Sequence, residues 1–521
     1  MAEALAVADG KIVYVGNNVN ANDWVSDTTQ VLDLSGKTVV PGFIEGHGHL
    51  MSMGWRLKNL DLTKVKSFDE ILLKVAKKVS TSKKGEWIVG EGWHQDKWNS
   101  KPDSTVAGFP IHTQLSEIAP DNPVLLEHAS GHSVLVNDAA MKMASITDET
   151  PDPSGGVIIR NLLGQATGLM SENAAELIYD IMPDKTDDDN IETLNLAIEE
   201  CLKNGVTSFQ DAGASQKTIN LYHSFLKNEL LKIRLYVMIA GKEEQLVDNW
   251  MVHGPSIGLG DNFLTIRAIK LYADGALGSR GALLIEDYTD DPGNTGARLT
   301  SPDYIMRVSE KAFQNGFQVC THSIGDKANK EILDMYEIVL NSDTTKADLR
   351  FRIEHAQHIA AEDIPRFGQL GVIPSMQAIH MSSDRPWAIN RLGQERIEEG
   401  AYVWRKLMDS GATIVNGTDV PVEPINPIAN FYASVTRKTL KGTPEKGYEP
   451  TQKMTREEAL RSITINNAYG AFEEDIKGCI EVGKLADLTV LSQDIMTIAE
   501  DEILNTEVMM TIVNGKVEFI R

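Results

Sequence analysis

Three cysteines, Cys201, Cys320 and Cys479, are too few and too far apart for a disulfide framework or a Cys-x-x-Cys zinc site. No uninterrupted apolar stretch approaches the ~18–20 residues that a bilayer span needs. Internal repeats and low-complexity tracts are absent. Positive charge is in deficit: 50 Lys and Arg stand against 74 Asp and Glu, a net charge of −24. Such a surface repels phosphates, which argues against nucleic acid and anionic membranes as partners. The N-terminus lacks the charged and apolar regions of a signal peptide. The chain opens inside an element, because Leu5–Ala8 already reads as a strand and Asp9-Gly10 as its turn. We therefore expect a cytoplasmic protein, or a periplasmic or secreted one if a leader was trimmed.

What is present is an ordinary globular composition, 42% hydrophobic and 24% charged. The first 35 or so residues and the last 45 or so read as short strands with tight turns, Asn514-Gly515 among them. The termini are expected to meet in one small β-sandwich, residues 1–40 with 479–521. Between them, short apolar runs stop at polar residues and most lead into helical patterns. These runs are Val39–Ile44, Val206–Phe209, Ile233–Ile239, Thr265–Leu271, Phe317–Cys320, Leu349–Ile353, Gly371–Pro374 and Thr413–Val415. Eight strands alternating with helices predict an α/β fold, a TIM-like (β/α)₈ barrel over 41–478. Residues of about 55–195 do not fit one crossover. They are expected to form an inserted subdomain capping the barrel mouth, with strands near Trp87–Val89, Val124–Leu126 and Gly156–Arg160.

In such a barrel the chemistry sits at the C-terminal ends of the strands, and the chemically able residues fall there. The first strand runs into His47-Gly-His49, whose histidines, two apart in extended structure, point to the same side. Later strands end at Lys270, His322, His355 and Asp419. A lone histidine is more often structural, but six candidates at corresponding strand ends are not readily coincidental. Imidazoles completed by a carboxylate suit zinc, and also iron, manganese, cobalt or nickel. A homo-oligomer is compatible with this reading.

Particular segments carry a family resemblance. PGFIEGHGHL resembles the first-strand signature of the amidohydrolase superfamily. IKLYADGALGSR, THSIGDKAN, RIEHAQ and GTDVPVEPINP resemble the family-3 amidohydrolases, a group that includes N-substituted formamide deformylases. GCIEVGKLADL resembles the return into the β-sandwich, and Glu45 departs from the usual aspartate at its position. The resemblance implies that His47, His49 and Asp419 hold one metal and that His322 and His355 hold a second. It also implies that Lys270 bridges the two as a carbamate. An ammonium beside two cations is repelled, and burial lowers a lysine's pKa, freeing the amine for CO₂. The alternative is an unmodified Lys270 paired with Asp274 beside one metal. A metal lowers the pKa of bound water from about 15.7 to about 7, generating hydroxide for attack on a polarised carbonyl. Asp419 is expected to act as general base and then general acid.

The expected activity is hydrolysis of a non-peptide C–N bond, in an amide or N-acyl small molecule. Trp93, His94, Trp98 and His132 in the insertion, with Asp274, Arg280, Trp387 and Arg391 after strands four and seven, are candidate substrate contacts. Packing and surface roles compete at each of them. The remaining histidines, His380 among them, have no spacing that argues for metal. Two rival readings stay open: a lactonase or isomerase on the same metal scaffold, and a non-catalytic binding or regulatory protein that kept the fold.

Overall fold

In the computed structural model, eight strands pair in parallel, each with the next in sequence. They are β1 (Phe43–Gly48), β2 (Val206–Ala214), β3 (Arg234–Ala240), β4 (Leu264–Tyr272), β5 (Gln318–Ser323), β6 (Arg352–His355), β7 (Ile373–Met376) and β8 (Val415–Asn416). The structure describes residues 2–95, 98–100, 102, 104–106, 108–129, 133–343 and 348–521. Nearly every strand residue is buried, as parallel strands covered by helices require. Ser215 and Ser301 start the helices Gln216–Lys227 and Pro302–Asn315 by accepting the amides of Thr218 and Tyr304. This is the α/β barrel expected from the alternating pattern.

The barrel closes with little regular strand. β8 is only two residues long, so the seam is made by the backbone beyond it. Asp419 N donates to His47 O at 2.7 Å, and His49 N donates to Val420 O at 2.7 Å. Lower down, the Asn467 side chain donates to Ile44 O (2.6 Å) and Asn416 O (2.8 Å) and accepts from Asn416 N (2.9 Å).

One expected strand is two. Val39–Ile44 divides at Gly42, and Thr38–Pro41 joins a different sheet from β1. An added Cβ at Gly42 would meet the Thr207 side chain at 2.2 Å, so the chain can change sheets there only with glycine. The second sheet is antiparallel, in the order Lys516–Ile520, Val508–Val513, Leu488–Leu491, Thr38–Pro41. The hairpin Ala4–Ala8 and Lys11–Gly16 joins it through Ile12 N to Lys484 O (2.9 Å) and through a shared core of Ile12, Ala486 and Leu488. Both hairpin turns have two central residues with positive φ, Asp9 (50°) with Gly10 (74°) and Asn514 (52°) with Gly515 (75°). That is the turn geometry Asp-Gly and Asn-Gly favour.

Met51–Ala197 forms a compact unit of its own. Its six-stranded mixed sheet runs Gly156–Arg160, Ala166–Glu172, Ser133–Val136, Val124–His128, Ile88–Trp93, Leu60–Asp61. One core packs Phe68, Ile71, Trp93 and Leu126 on the sheet, and a second packs Leu125, Val134, Met170 and Ile178. Among the described residues no helix is long and apolar enough to cross a membrane.

Candidate metal centre

At the C-terminal end of the barrel the strand-end residues meet. His47, His355 and Asp419 are buried and offer ligand atoms that all lie within 4.8 Å of one another, a spacing that suits a divalent cation. His49 Nε2 is 3.2 Å from Asp419 Oδ1, and His47 Nε2 is 3.5 Å from the same oxygen. Lys270 Nζ approaches His47 Nε2 at 3.3 Å. The His322 and His355 rings meet edge to face with centroids 4.4 Å apart. The six strand-end residues thus form one contiguous cluster. Asp419 Oδ1 and His322 Nε2 are buried with no hydrogen-bond partner among the described residues. Buried polar atoms are rarely left so, and a bound cation would satisfy both.

The backbone is strained at this point. His355 (φ 74°), Ala356 (φ 41°) and Asp419 (φ 57°) adopt the left-handed region, which non-glycine residues seldom enter and which concentrates at functional sites.

Electrostatics favour neutral imidazoles around an ionised carboxylate. Burial, with Lys270 nearby, pushes His47 down to about 4 and His322 down to about 3, and burial holds His355 well below its ordinary value. Lys270 is also lowered by burial. Burial alone would raise Asp419, but the close approach of His49, with His47, His355 and His380 around it, holds it well below the usual carboxylate range. Neutral histidine and anionic aspartate are the protonation states a cation needs.

Several residues around the cluster are assigned no role from the sequence. His47 Nδ1–H donates to the fully buried Glu354, which leaves Nε2 facing Asp419. Glu354 is kept anionic against its burial by Arg352 and His47, and Arg352 donates to it from Nε at 2.7 Å. His355 Nδ1 donates to Gln377 Oε1 at 2.7 Å. Glu45 accepts from Thr418 N (2.6 Å), Thr418 Oγ1 (2.8 Å) and His47 N (3.2 Å), so it ties the cluster's two flanking strands together. Burial raises it to about 7.

The expected substrate contacts are dispersed. Asp274 accepts the amides of Ile324 (3.0 Å), Gly325 (2.8 Å) and Leu283 (2.8 Å), and burial raises it to about 7. It clasps the loop after β4 to the end of β5, and its basic partner within 4.0 Å is His322, at 3.7 Å, rather than Lys270. Arg280 and Arg391 both pair with Asp290, and Arg391 also donates to Gly278 O, beside Trp387. In the inserted unit Trp93 is fully buried with its indole donating to Leu126 O at 3.0 Å. Trp98 packs on Trp93, and the His94 ring lies 4.7 Å from that of His128. His132 lies outside the described residues. Of the other histidines, His112, His128, His253 and His358 lie beside local partners, whereas His380 reaches the cluster.

A sequence profile of the Amidohydrolase family matches residues 30–519. The chain belongs to this family. An N-substituted formamide deformylase of Arthrobacter pascens is 28% identical over 100% of the chain and 95% of its own length. Protein LONG AFTER FAR-RED 3 of Arabidopsis thaliana is 34% identical over 99% of the chain and 88% of its own length. Among solved structures, a metal-dependent hydrolase from Pyrococcus horikoshii OT3 superimposes with a TM-score of 0.78, at 28% identity, over 95% of this chain and 94% of that one. Family, neighbour and cluster together support a metal-dependent hydrolase.

Proposed function

We propose that this amidohydrolase cleaves a non-peptide carbon–nitrogen bond, that of an amide or N-acyl compound, with a divalent cation, zinc in the first instance, at the barrel end. The observation that carries the reading is the Asp419 carboxylate, anionic and buried, with Oδ1 unpartnered and turned toward the Nε2 atoms of His47 and His49. His47, His49 and Asp419 would hold one cation, and His322 and His355 would hold a second. When bound, such an ion lowers the pKa of water from about 15.7 to about 7 and polarises a carbonyl. Asp419, held anionic, is suited to take the proton of the attacking water and pass it to the leaving nitrogen. Glu354 and Gln377 fix the tautomers of His47 and His355 by accepting their Nδ1 protons, which turns both Nε2 atoms to the cluster. Lys270, buried and lowered, can add to CO₂: a C–N bond forms, a proton leaves, and the carbamate would offer an anionic oxygen ligand in place of the amine. The relative that deformylates N-substituted formamides makes these compounds the first substrates to try.

The test is elemental analysis of protein reconstituted with zinc and bicarbonate, beside a Lys270→Ala variant, with amine release from N-substituted formamides as the assay and a lactone as the control. Two equivalents of zinc in the parent, one or fewer in the variant, and amine release by the parent alone are the expected results. One equivalent in both proteins removes the carbamate bridge. No stoichiometric metal in either, or lactone opening without amide cleavage, overturns the reading.

A further inference from the structure

His380 stands on the first turn of the helix Ala378–Gly400, which follows β7 at the C-terminal end of the barrel. It is 8% exposed, and its Nε2 is buried without a hydrogen-bond partner among the described residues. That atom is 3.9 Å from Asp419 Oδ2, and the ring lies parallel to that of His355, 9° between planes and 6.2 Å between centroids. The two oxygens of Asp419 therefore divide their surroundings: Oδ1 faces His47 and His49, and Oδ2 faces His380. Neighbouring polar groups of the cleft are committed elsewhere. Gln357 Nε2 donates to Tyr402 Oη (2.7 Å), and Gln377 accepts from His355 and donates to Ser375 O (3.1 Å). Leaving a buried polar atom without a partner is destabilising, and such atoms in native proteins call for an explanation. A substrate that supplies the missing partner is one.

We propose that His380 is a substrate-contacting residue, and that its Nε2 accepts the N–H of the scissile amide. One nitrogen can stand about 3 Å from both His380 Nε2 and Asp419 Oδ2, because those atoms are only 3.9 Å apart. An N–H held by His380 fixes rotation about the C–N bond, so the lone pair that develops on nitrogen during attack points at Asp419. The proton passes from Asp419 to that lone pair as the C–N bond breaks. The substrate class follows: amides with one N–H, singly substituted on nitrogen, rather than N,N-disubstituted amides. This inference rests on the hydrolytic reading above and adds to it the substitution pattern of the leaving group.

The test uses zinc-reconstituted parent, His380→Phe, which keeps a ring but no nitrogen, and His380→Gln, which keeps an acceptor. Each is assayed with N-butylformamide and N-butyl-N-methylformamide. Each is also titrated calorimetrically with acetohydroxamic acid and its N-methyl derivative, which present and lack an N–H. The parent should favour the N–H member of each pair by at least about tenfold, the equivalent of about 1.4 kcal/mol. His380→Phe should lose that preference in both kcat/KM and binding, His380→Gln should recover part of it, and zinc content should be equal in all three. A zinc equivalent lost from His380→Phe would make His380 a ligand and overturn the proposal. So would a preference that survives in His380→Phe, or one absent from the parent. If the parent cleaves neither formamide yet His380→Phe alone loses the hydroxamate preference, the contact stands and the hydrolytic reading falls. If singly substituted amides are cleaved with undiminished preference by His380→Phe, the reverse holds.

Discussion

Arg352 and Glu354 are fully buried in the barrel beneath the cluster, a charged pair where aliphatic side chains would be ordinary. Arg352 also donates to Gly46 O (2.8 Å), Ser375 Oγ (2.8 Å) and Gln210, so its guanidinium is fixed from several strands at once. Glu354 passes that rigidity to His47. A Glu354→Gln substitution keeps the shape, but leaves Arg352 without its counter-charge and weakens the acceptor that sets the His47 tautomer. Zinc affinity, measured by competition with a chromogenic chelator, should fall about 10–100-fold. The fold should lose stability as well, on the order of 3–5 kcal/mol for an uncompensated buried charge. Unchanged zinc affinity would show that His47 keeps its orientation without Glu354. None of this was legible in the sequence. Arg352-Ile-Glu354 reads as an interrupted strand, and its meaning depends on His47, 307 positions away. His380 was invisible for the same reason: a histidine in a helical pattern has no spacing to mark it. His47, His49, Lys270, His322, His355 and Asp419 could be singled out because strand ends in a barrel converge, so position along each element implied position in space.

The strands themselves were legible because a buried parallel strand is an apolar run bounded by polar residues, and the ends of β1, β4, β5 and β6 and the segment after β8 supply the cluster. Two features were not. The run Val39–Ile44 is continuous in hydrophobicity, yet Gly42 lets the chain cross from one sheet to another, a change of partner that apolarity does not encode. In the insertion, Ser133–Val136 and Ala166–Glu172, which pair antiparallel with each other, were not singled out, since no strand–helix alternation marks them as it marked the barrel. The seam between β8 and β1 is the element on which the cluster depends, since it carries both His47 and Asp419. Its stitch is Asn467, from the helix Ile465–Gly470. Asn467→Ala strips partners from Ile44 O, Asn416 O and Asn416 N inside the barrel. At about 1–3 kcal/mol for a buried unsatisfied group, urea unfolding should register a loss of at least about 2 kcal/mol. Zinc affinity should fall with it as Asp419 loosens from His47. A stability loss with affinity intact would separate the seam from the site.

At the scale of the molecule, every candidate ligand belongs to one compact unit, Met1–Leu50 with Ile198–Arg521, and none to Met51–Ala197. The second unit is furnished with apolar cores made from its own residues. A ligand stabilises whatever must be folded to bind it, by about 2.7 kcal/mol when its concentration is 100 times the dissociation constant. Zinc should therefore slow hydrogen exchange in the strands that carry the cluster and leave the other sheet as it was. The comparison is direct: amides of β2 to β6 against those of Ile88–Trp93 and Val124–His128, with and without zinc. Slower exchange confined to the barrel strands means that the two units open independently and that metal acts on one of them. Equal slowing in both sheets would mean that the chain opens as one cooperative body, in which zinc loss reaches residues that touch none of its ligands.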